Sequence, residues 1–453
     1  MRVLNSAART PLARRSALLT LAVSTALLAS ACGSGGSGGG GTAGSSGGSQ
    51  TTLTYWASDQ GGSIAQDVKV LTPELDAFTK QTGIKVKLEV IGWNDLLNRI
   101  LAAASSGQGP DLVNIGNTWS ASLQATGAFL PVSDDVMGQI GGTGRFLPGA
   151  LAATGAPGKP PVGVPIYSMS YALYYNKAMF QAAGISTPPA TWADFVADGK
   201  KLTKNGQWGV SVEGASTSEN AHHAFTFSAQ QGGSFFDSAG KPTFDTPQNV
   251  AALKQYVDFV AADKIANPSN AEYSNGTEAV KDFATGKAAM LLWQSADATL
   301  ATYGMQSGQY GVVPVPFASA GASGPTHVDS IVAGINLSVF ANTKNKDAAL
   351  KFVKFMVSKE TQTALNKAYS SLPSVSDAYT DPAFQTESVK VIQSVLANSA
   401  APMPAVATES QFETVIGSAL KNLFADAASG KPVTNQSVAA QLDQAQQQLL
   451  AGG

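Results

Sequence analysis

Thiol and imidazole are nearly absent from this chain, and their scarcity removes whole classes of chemistry. The 453 residues hold one cysteine, Cys32, and three histidines, His222, His223 and His327. A single thiol rules out an internal disulfide, and a zinc site built from Cys and His lacks its ligands. Charge is scarce as well. Asp, Glu, Lys and Arg make up 13% of residues, 29 basic against 31 acidic, for a formal net charge of −2. No Lys/Arg cluster lies beyond the N-terminus, so the basic face that nucleic acid requires is missing. No repeat of fixed period and no phosphate-cradling Gly-x-x-x-x-Gly-Lys-Ser/Thr loop is present. A Gly-x-Ser-x-Gly match at Gly35–Gly39 lies inside a Gly/Ser tract and reflects composition. Apolar residues, by contrast, reach 44%, enough for more than one core in a chain of this length.

Residues 1–31 read as an address rather than a fold. Arg2, Arg9, Arg14 and Arg15 form a basic start, and Ala17–Leu28 is an apolar run too short to span a bilayer. The run ends in Leu28-Ala29-Ser30-Ala31-Cys32. This resembles the bacterial lipobox, where acyl chains such as palmitate anchor a cysteine, although Ala29 stands where a branched apolar residue is usual. An ordinary cleaved signal leaving a free cysteine is the alternative. Residues 33–49 are nearly all Gly and Ser, a flexible tether. These features predict a lipoprotein signal peptide at 1–31 and a lipidated Cys32 with its tether at 32–49. The protein is then exported and held by lipid at the outer face of the cytoplasmic membrane. The Arg14-Arg15 pair leaves Sec and twin-arginine export both open.

Ordered sequence starts with the β-rich run Leu53–Trp56. The pattern then predicts a helix over Leu71–Gln81, capped by Thr72 with Pro73 in the first turn and Gly83 past the end. Ile84–Val90 alternates apolar and polar as a half-buried strand, Asn94–Ser105 reads as a helix stopped by Gly107, and Asp111–Ile115 as a strand. Strand, helix, strand, helix in short order implies parallel βαβ units, in which ligands bind beyond the carboxyl ends of the strands. That points to Ala57–Gln60, Gly92–Asp95 and Gly116–Trp119. Farther on, Phe235–Phe244 reads as a hairpin, Pro247 opens a helix capped by Asp245 or Thr246, and Lys346–Ala368 has one long helical periodicity.

From Gly109-Pro110-Asp111 onward the chain resembles the family 1 extracellular solute-binding proteins, the maltose-binding-like receptors of ABC importers. The resemblance is carried, in family order, by Phe78 through Thr82-Gly83 to Val86, by Gly109-Pro110-Asp111 with Trp119, and by Leu173-Tyr174-Tyr175-Asn176-Lys177. It continues in Pro188-Pro189-Ala190-Thr191-Trp192 with Phe195, Phe283–Met290, Gly334-Ile335-Asn336-Leu337, and Lys344–Ala349 before a Phe-rich helix, and covers residues 53–425. It implies an α/β chain of the two-lobed periplasmic-binding-protein type II fold, with a ligand cleft between interleaved lobes. Lobe 1 is expected to take residues 50–164 plus 296–337, and lobe 2 residues 165–295 plus 338–453. The function implied is a monomeric receptor that captures a mono- or oligosaccharide and delivers it to membrane permease subunits. It implies no cofactor, no metal and no nucleic acid.

A sugar offers hydroxyl edges that need hydrogen-bond partners and C–H faces that lie flat on aromatic rings, so its receptor mixes aromatics with short polar side chains. The strand-end segments carry that mixture in Trp56, Ser58 and Asp59, in Trp93, Asn94 and Asp95, and in Asn117, Thr118 and Trp119. The resemblance adds Tyr167, Ser170 and Tyr171, the pair His222 and His223, Trp293, Ser295 and Asp297, the crossover residues Gly334 and Asn336, and Phe412. Trp56 reads equally as ligand platform or strand-end core. Trp119, set in a polar loop, reads as a ligand contact whose loss weakens binding without lowering the melting temperature. Trp192 reads as packing and Asp111 as a carboxylate that caps local amides. Tyr174 and Tyr175 alternate along a strand, so at most one faces a cleft. Other readings stay open: a receptor for a polyol or another small polar solute, or a secreted glycosidase with Asp59, Asp297 and Asp329 as candidate acids. An adhesive envelope protein would need repeats that are not visible.

Overall fold

The computed structural model describes residues 50–452 except Asn275 and Ala320. The expected signal peptide, Cys32 and the Gly/Ser tether lie outside the described residues. The strands are β1 (Thr52–Ser58), β2 (Lys85–Ile91), β3 (Leu112–Gly116) and β4 (Val164–Met169), then β5 (Tyr171–Asn176), β6 (Trp208–Ser211), β7 (Ala288–Gln294) and β8 (Tyr310–Val313). The short β9 (Ser330–Ile331), β10 (Ala333–Val339), β11 (Leu372–Pro373) and β12 (Ala400–Ala401) follow.

Two main sheets result. The first has the order β11-β4-β10-β3-β1-β2 and the second β6-β7-β5-β8, while β9 and β12 form a separate pair. β1 runs parallel to β2 and β3, as the strand–helix–strand reading predicts. β10 lies antiparallel between β3 and β4. In the second sheet β5 is antiparallel to β7 and β8. Each sheet buries its own core: Leu53, Phe78 and Phe352 pack on the first, and Phe195, Phe227 and Phe259 on the second. The fold is mixed α/β with two lobes.

The chain passes between the lobes through short links. Ser170 alone separates β4 from β5, and Val332 alone separates β9 from β10. A third passage follows β11, where Leu372 shares a second-lobe cluster with Val389 and Ile392 of the helix Glu387–Asn398. The lobes are interleaved as the resemblance implies, but their boundaries differ from the expected ones. β4 stays whole in the first sheet rather than breaking at residue 165. Residues 296–337 do not all stay with lobe 1: β10 from Ala333 onward does, but β8 pairs with β5 and Leu300 and Met305 pack beside it. Nor do residues 338–453 all belong to lobe 2. The helices Lys346–Met356 and Lys359–Tyr369 bury Leu350, Phe352 and Leu365 in the first core. The physical reason is β10: it inserts into the first sheet, and the apolar helices that follow cover the nearest open face.

Two helix readings also change. The first helix is Ile64–Thr82, capped by Ser63, so Pro73 falls inside it rather than in its first turn. Pro73 donates no backbone bond; beside it the Thr72 hydroxyl donates to the Val68 carbonyl at 2.6 Å. The long periodicity after Lys346 is two helices, because the Ser358 side chain caps a new start by accepting from the Thr361 N–H. Other readings agree. Gly83 takes the left-handed cap conformation, Thr246 caps the helix Pro247–Ala261, and Asp111 accepts from the Thr54 amide and the Thr343 and Asn345 side chains. Trp192 is core, stacked 4.4 Å from Phe227 with its indole N–H donating to Gln230. No helix among the described residues is long and apolar enough to cross a membrane.

Candidate functional site

Parallel strands end where the following helices begin, so the carboxyl ends of β1, β2 and β3 present loops and helix N-termini on one edge of the first sheet. These loops form one wall of a cavity of about 470 Å³ between the lobes. The opposite wall comes from the start of the helix Thr217–Gln230, the end of β7, Ser274, Gly276, Thr277 and Glu413.

The first wall is mainly aromatic and amide. The Trp93 indole N–H donates to the Asp59 carbonyl at 2.6 Å, and the Trp93 ring meets Trp119 edge-on with centroids 5.6 Å apart. The Asn117 amide donates 2.7 Å to the carbonyl of Val332, so the wall is bonded to the interlobe link. Gly334 must be glycine: a Cβ there would come within 2.5 Å of the Tyr167 carbonyl oxygen on the paired strand. Asp67 shapes the first loop by accepting the Gln60 and Gly61 amides. Burial, with the neighbouring Asp67, pushes the Asp59 carboxyl up to about 8.

The second wall is a network of acids around one imidazole. Glu219 and His222 lie one turn apart on a helix whose Ser216 cap accepts from the Glu219 amide. The Tyr171 hydroxyl donates to Glu219 Oε2 at 2.7 Å and lies 2.9 Å from His222 Nδ1, so Nδ1–H is the donor of that second contact. The Gln294 amide also donates to this hydroxyl. His222 Nε2 faces Glu413 Oε1 at 3.5 Å. Burial disfavours a charged imidazole, but the Glu413 carboxylate outweighs it and holds the His222 pKa above the ordinary value. Glu413 is 3% exposed; against the cost of burial, His222 keeps its carboxyl below the usual range. Glu409, one turn earlier, is fully buried and pushed well above that range by desolvation and by Glu413.

The walls meet directly. The Trp119 indole N–H donates to Glu413 Oε2 at 2.7 Å across the two lobes. Trp119 is 3% exposed and belongs to a hydrophobic cluster with Leu96 and Ile115. It therefore lines the cavity and supports the lobe at once.

Eleven of the expected residues line the cavity together: Asp59, Trp93, Asn94, Asp95, Asn117, Thr118, Trp119, His222, Trp293, Ser295 and Gly334. The others do not. Trp56 carries the Arg99 guanidinium over its ring at 4.4 Å, and Ser58 is buried and bonded to Gln60 and Asn114. Tyr167 is core, edge-on to Tyr369, and Ser170 donates to the Ile392 carbonyl. Tyr171 sits behind the wall and orients Glu219 and His222. His223, next along the helix, turns into the core against Tyr171 and Tyr256, where burial lowers its pKa to about 3. Asp297 accepts from the Tyr174 and Tyr310 hydroxyls. Asn336 ties Ser120 to the Ala153 carbonyl, and Phe412 packs among Phe235, Phe236 and Phe244. Each of these is a correction: packing or hydrogen bonds hold the side chain away from the cavity. Glu219, Gln294 and Glu413 line the cavity without being foreseen. Glu219 has a visible signal, a first-turn acid one turn before His222; Glu413 has none.

Residues 61–363 match the family of bacterial extracellular solute-binding proteins. The diacetylchitobiose-binding protein DasA of Streptomyces coelicolor is 26% identical over 350 residues, 76% of this chain and 78% of its own. The sn-glycerol-3-phosphate-binding periplasmic protein UgpB of Rhizobium meliloti is 25% identical over 342 residues, 73% of this chain and 76% of its own. The GacH receptor of Streptomyces glaucescens, solved unliganded and with acarbose, superposes with a TM-score of 0.73 at 25% identity. It covers 89% of this chain and 99% of that receptor.

Proposed function

This chain belongs to the bacterial extracellular solute-binding proteins, and from that premise we propose that it captures a carbohydrate in its interlobe cleft and delivers it to an ABC permease. The family is one of binding proteins rather than enzymes. Asp297, moreover, is engaged with two tyrosines outside the cavity, so it does not serve there as the hydrolytic acid the alternative reading named.

The observation that carries the reading is the cavity itself. Its volume, about 470 Å³, falls in the roughly 300–1,000 Å³ range of small-molecule sites. Trp93, Trp119 and Trp293 supply flat apolar faces, and Asn94, Asn117, Glu219 and Gln294 supply partners for hydroxyl groups. Both lobes contribute, so a ligand held between them binds the closed arrangement more tightly and draws the lobes together. The rotating bodies are the lobe on the first sheet, with the helices Lys346–Met356 and Lys359–Tyr369, and the lobe on the second sheet. In this reading the protein works as a monomer.

The same reading places the protein outside the cytoplasmic membrane, held by acyl chains on Cys32 with residues 33–49 as a tether. Cys32→Ala is expected to move the protein from the membrane fraction to the medium; persistence in the membrane fraction overturns the anchor. For the ligand, a thermal-shift screen of the full chain against mono- and oligosaccharides, with polyols and amino acids as controls, is the direct test. A melting temperature raised by one sugar group supports the carbohydrate reading. A rise with a control solute alone overturns it and keeps the fold.

A further inference from the structure

The chemistry of the cavity wall is lopsided. Among its described residues are the carboxyl groups Asp59, Asp95, Glu219 and Glu413, but no lysine and no arginine. The only basic group is His222, and it is spent: one ring nitrogen is bonded to Tyr171 and the other faces Glu413. More acid lies behind the wall. Glu409 has no hydrogen-bond donor on either oxygen, and Glu213 is 1% exposed and accepts the Ala279 amide. The helix N-termini that border the cavity do not restore balance, because Asp95 and Glu219 stand in their first turns. A helix end contributes roughly half a positive charge against a full negative charge for each carboxylate.

Two atoms in this wall also accept no close hydrogen bond from the protein. Asp59 Oδ1 and Glu413 Oε1 are buried without one, although both residues line the cavity; the His222 Nε2 that faces Glu413 Oε1 stands off at 3.5 Å, and Glu413 is 3% exposed. Buried acceptors of this kind are costly unless a donor reaches them. A sugar hydroxyl offers one hydrogen. A protonated amine offers three, with a positive charge. A carboxylate or phosphate offers none, and would bring a further negative charge into a space whose one basic group, His222, already faces Glu413.

We propose that this cleft selects its carbohydrate by charge, admitting neutral sugars, holding amine-bearing sugars tightest and turning away those that carry a carboxylate or phosphate. Glu219 and Glu413 are the residues that read the charge, one on each helix of the second wall. The inference rests on the carbohydrate reading above and narrows it. It also separates this chain from its relative named for sn-glycerol-3-phosphate, whose ligand carries the group that this cleft excludes.

The test is a calorimetric titration of the full chain in detergent with matched mono- and disaccharides in three forms. These are hexosamines with a free amine, the same sugars N-acetylated, and the corresponding uronates and sugar phosphates. The expected ranking has the amine binding about tenfold more tightly than the acetylated form and the acids at least about tenfold more weakly. Acids bound as tightly as neutral sugars, or amines bound no more tightly than acetylated ones, overturn the charge rule and leave carbohydrate binding standing. A chain that binds no sugar in any form loses the carbohydrate reading and this inference with it. Glu219→Gln keeps the shape and the acceptor for Tyr171, and is expected to cut the amine preference to less than about threefold. An undiminished preference in that variant removes Glu219 from the role. The ranking by the unaltered chain stands as the test whether or not the variant folds.

Discussion

The two walls of the cleft are built on different plans. The first comes from three consecutive strand ends within residues 59–119, and its contacts are mostly neutral: indole to carbonyl, ring to ring, amide to the interlobe link. The second draws on residues near 219, 274, 293 and 413, and it is a chain of acids around His222. The first wall gives shape, since its groups are held by backbone and packing. The second gives charge, since its groups are held by one another. The Trp119–Glu413 bond is where shape and charge meet.

Substitutions can break or sharpen that contrast. The largest expected effect is at the meeting point. Trp119→Ala should cost about 3–5 kcal/mol of stability in chemical unfolding without ligand, as large aromatic truncations in cores do, and should weaken sugar binding as well. This replaces the expectation from its polar loop that the melting temperature would stay put; an unchanged unfolding midpoint would show that Trp119 belongs to the ligand alone. Glu413→Gln keeps the acceptor for Trp119 but removes the charge beside His222. It should weaken ligand binding by about tenfold, or 1.4 kcal/mol, and lower the His222 pKa in an NMR titration. An unmoved imidazole would mean that the second wall is not coupled as described.

A smaller effect belongs to the first wall. Trp93→Phe keeps most of the ring and loses the bond to the Asp59 carbonyl, worth about 1 kcal/mol, with unfolding as the readout. Asp59 then tests charge within the neutral wall. Its folded pKa is raised, so its contribution to stability is complete below the ordinary value of 3.8 and is lost as the pH climbs toward about 8. Asp59→Asn should flatten that part of the melting-temperature profile; a profile that still falls with pH across the same window assigns the loss to another acid. The smallest effect is expected from Trp56→Ala, which should leave ligand affinity within about twofold because the ring lies outside the cavity under Arg99.

How much of this was readable in the sequence follows the same division. The first wall was legible because βαβ units put successive strand ends on one edge, so local order in the chain becomes proximity in space. Ala57–Gln60, Gly92–Asp95 and Gly116–Trp119 were found in this way. The errors there lie at the end of β1, where Trp56 is held under Arg99 and Ser58 is buried and bonded to Gln60 and Asn114. The second wall depends on helix rotation and on contacts over long sequence separations. His222 and His223 are neighbours in the chain, yet one faces the cavity and the other the core. Glu413 sits next to Phe412, which the resemblance favoured, and the step of one residue on the helix Glu409–Ala428 decides which faces the cleft. The lobe boundaries failed for a related reason. Nothing local to residues 338–369 tells which sheet those helices will cover.

The one-residue links at Ser170 and Val332 also constrain movement. Two bodies joined at a single point can tilt in any direction, but two separate short joints define an axis, as the pins of a hinge do. With the passage after β11 as a third tie, sliding and twisting are suppressed and a single swing remains as the free coordinate. Opening and closing then need no guidance from the ligand. A ligand sets only how far along that one path the lobes come to rest, and a permease that senses the angle of the swing would learn from one number whether the receptor is loaded.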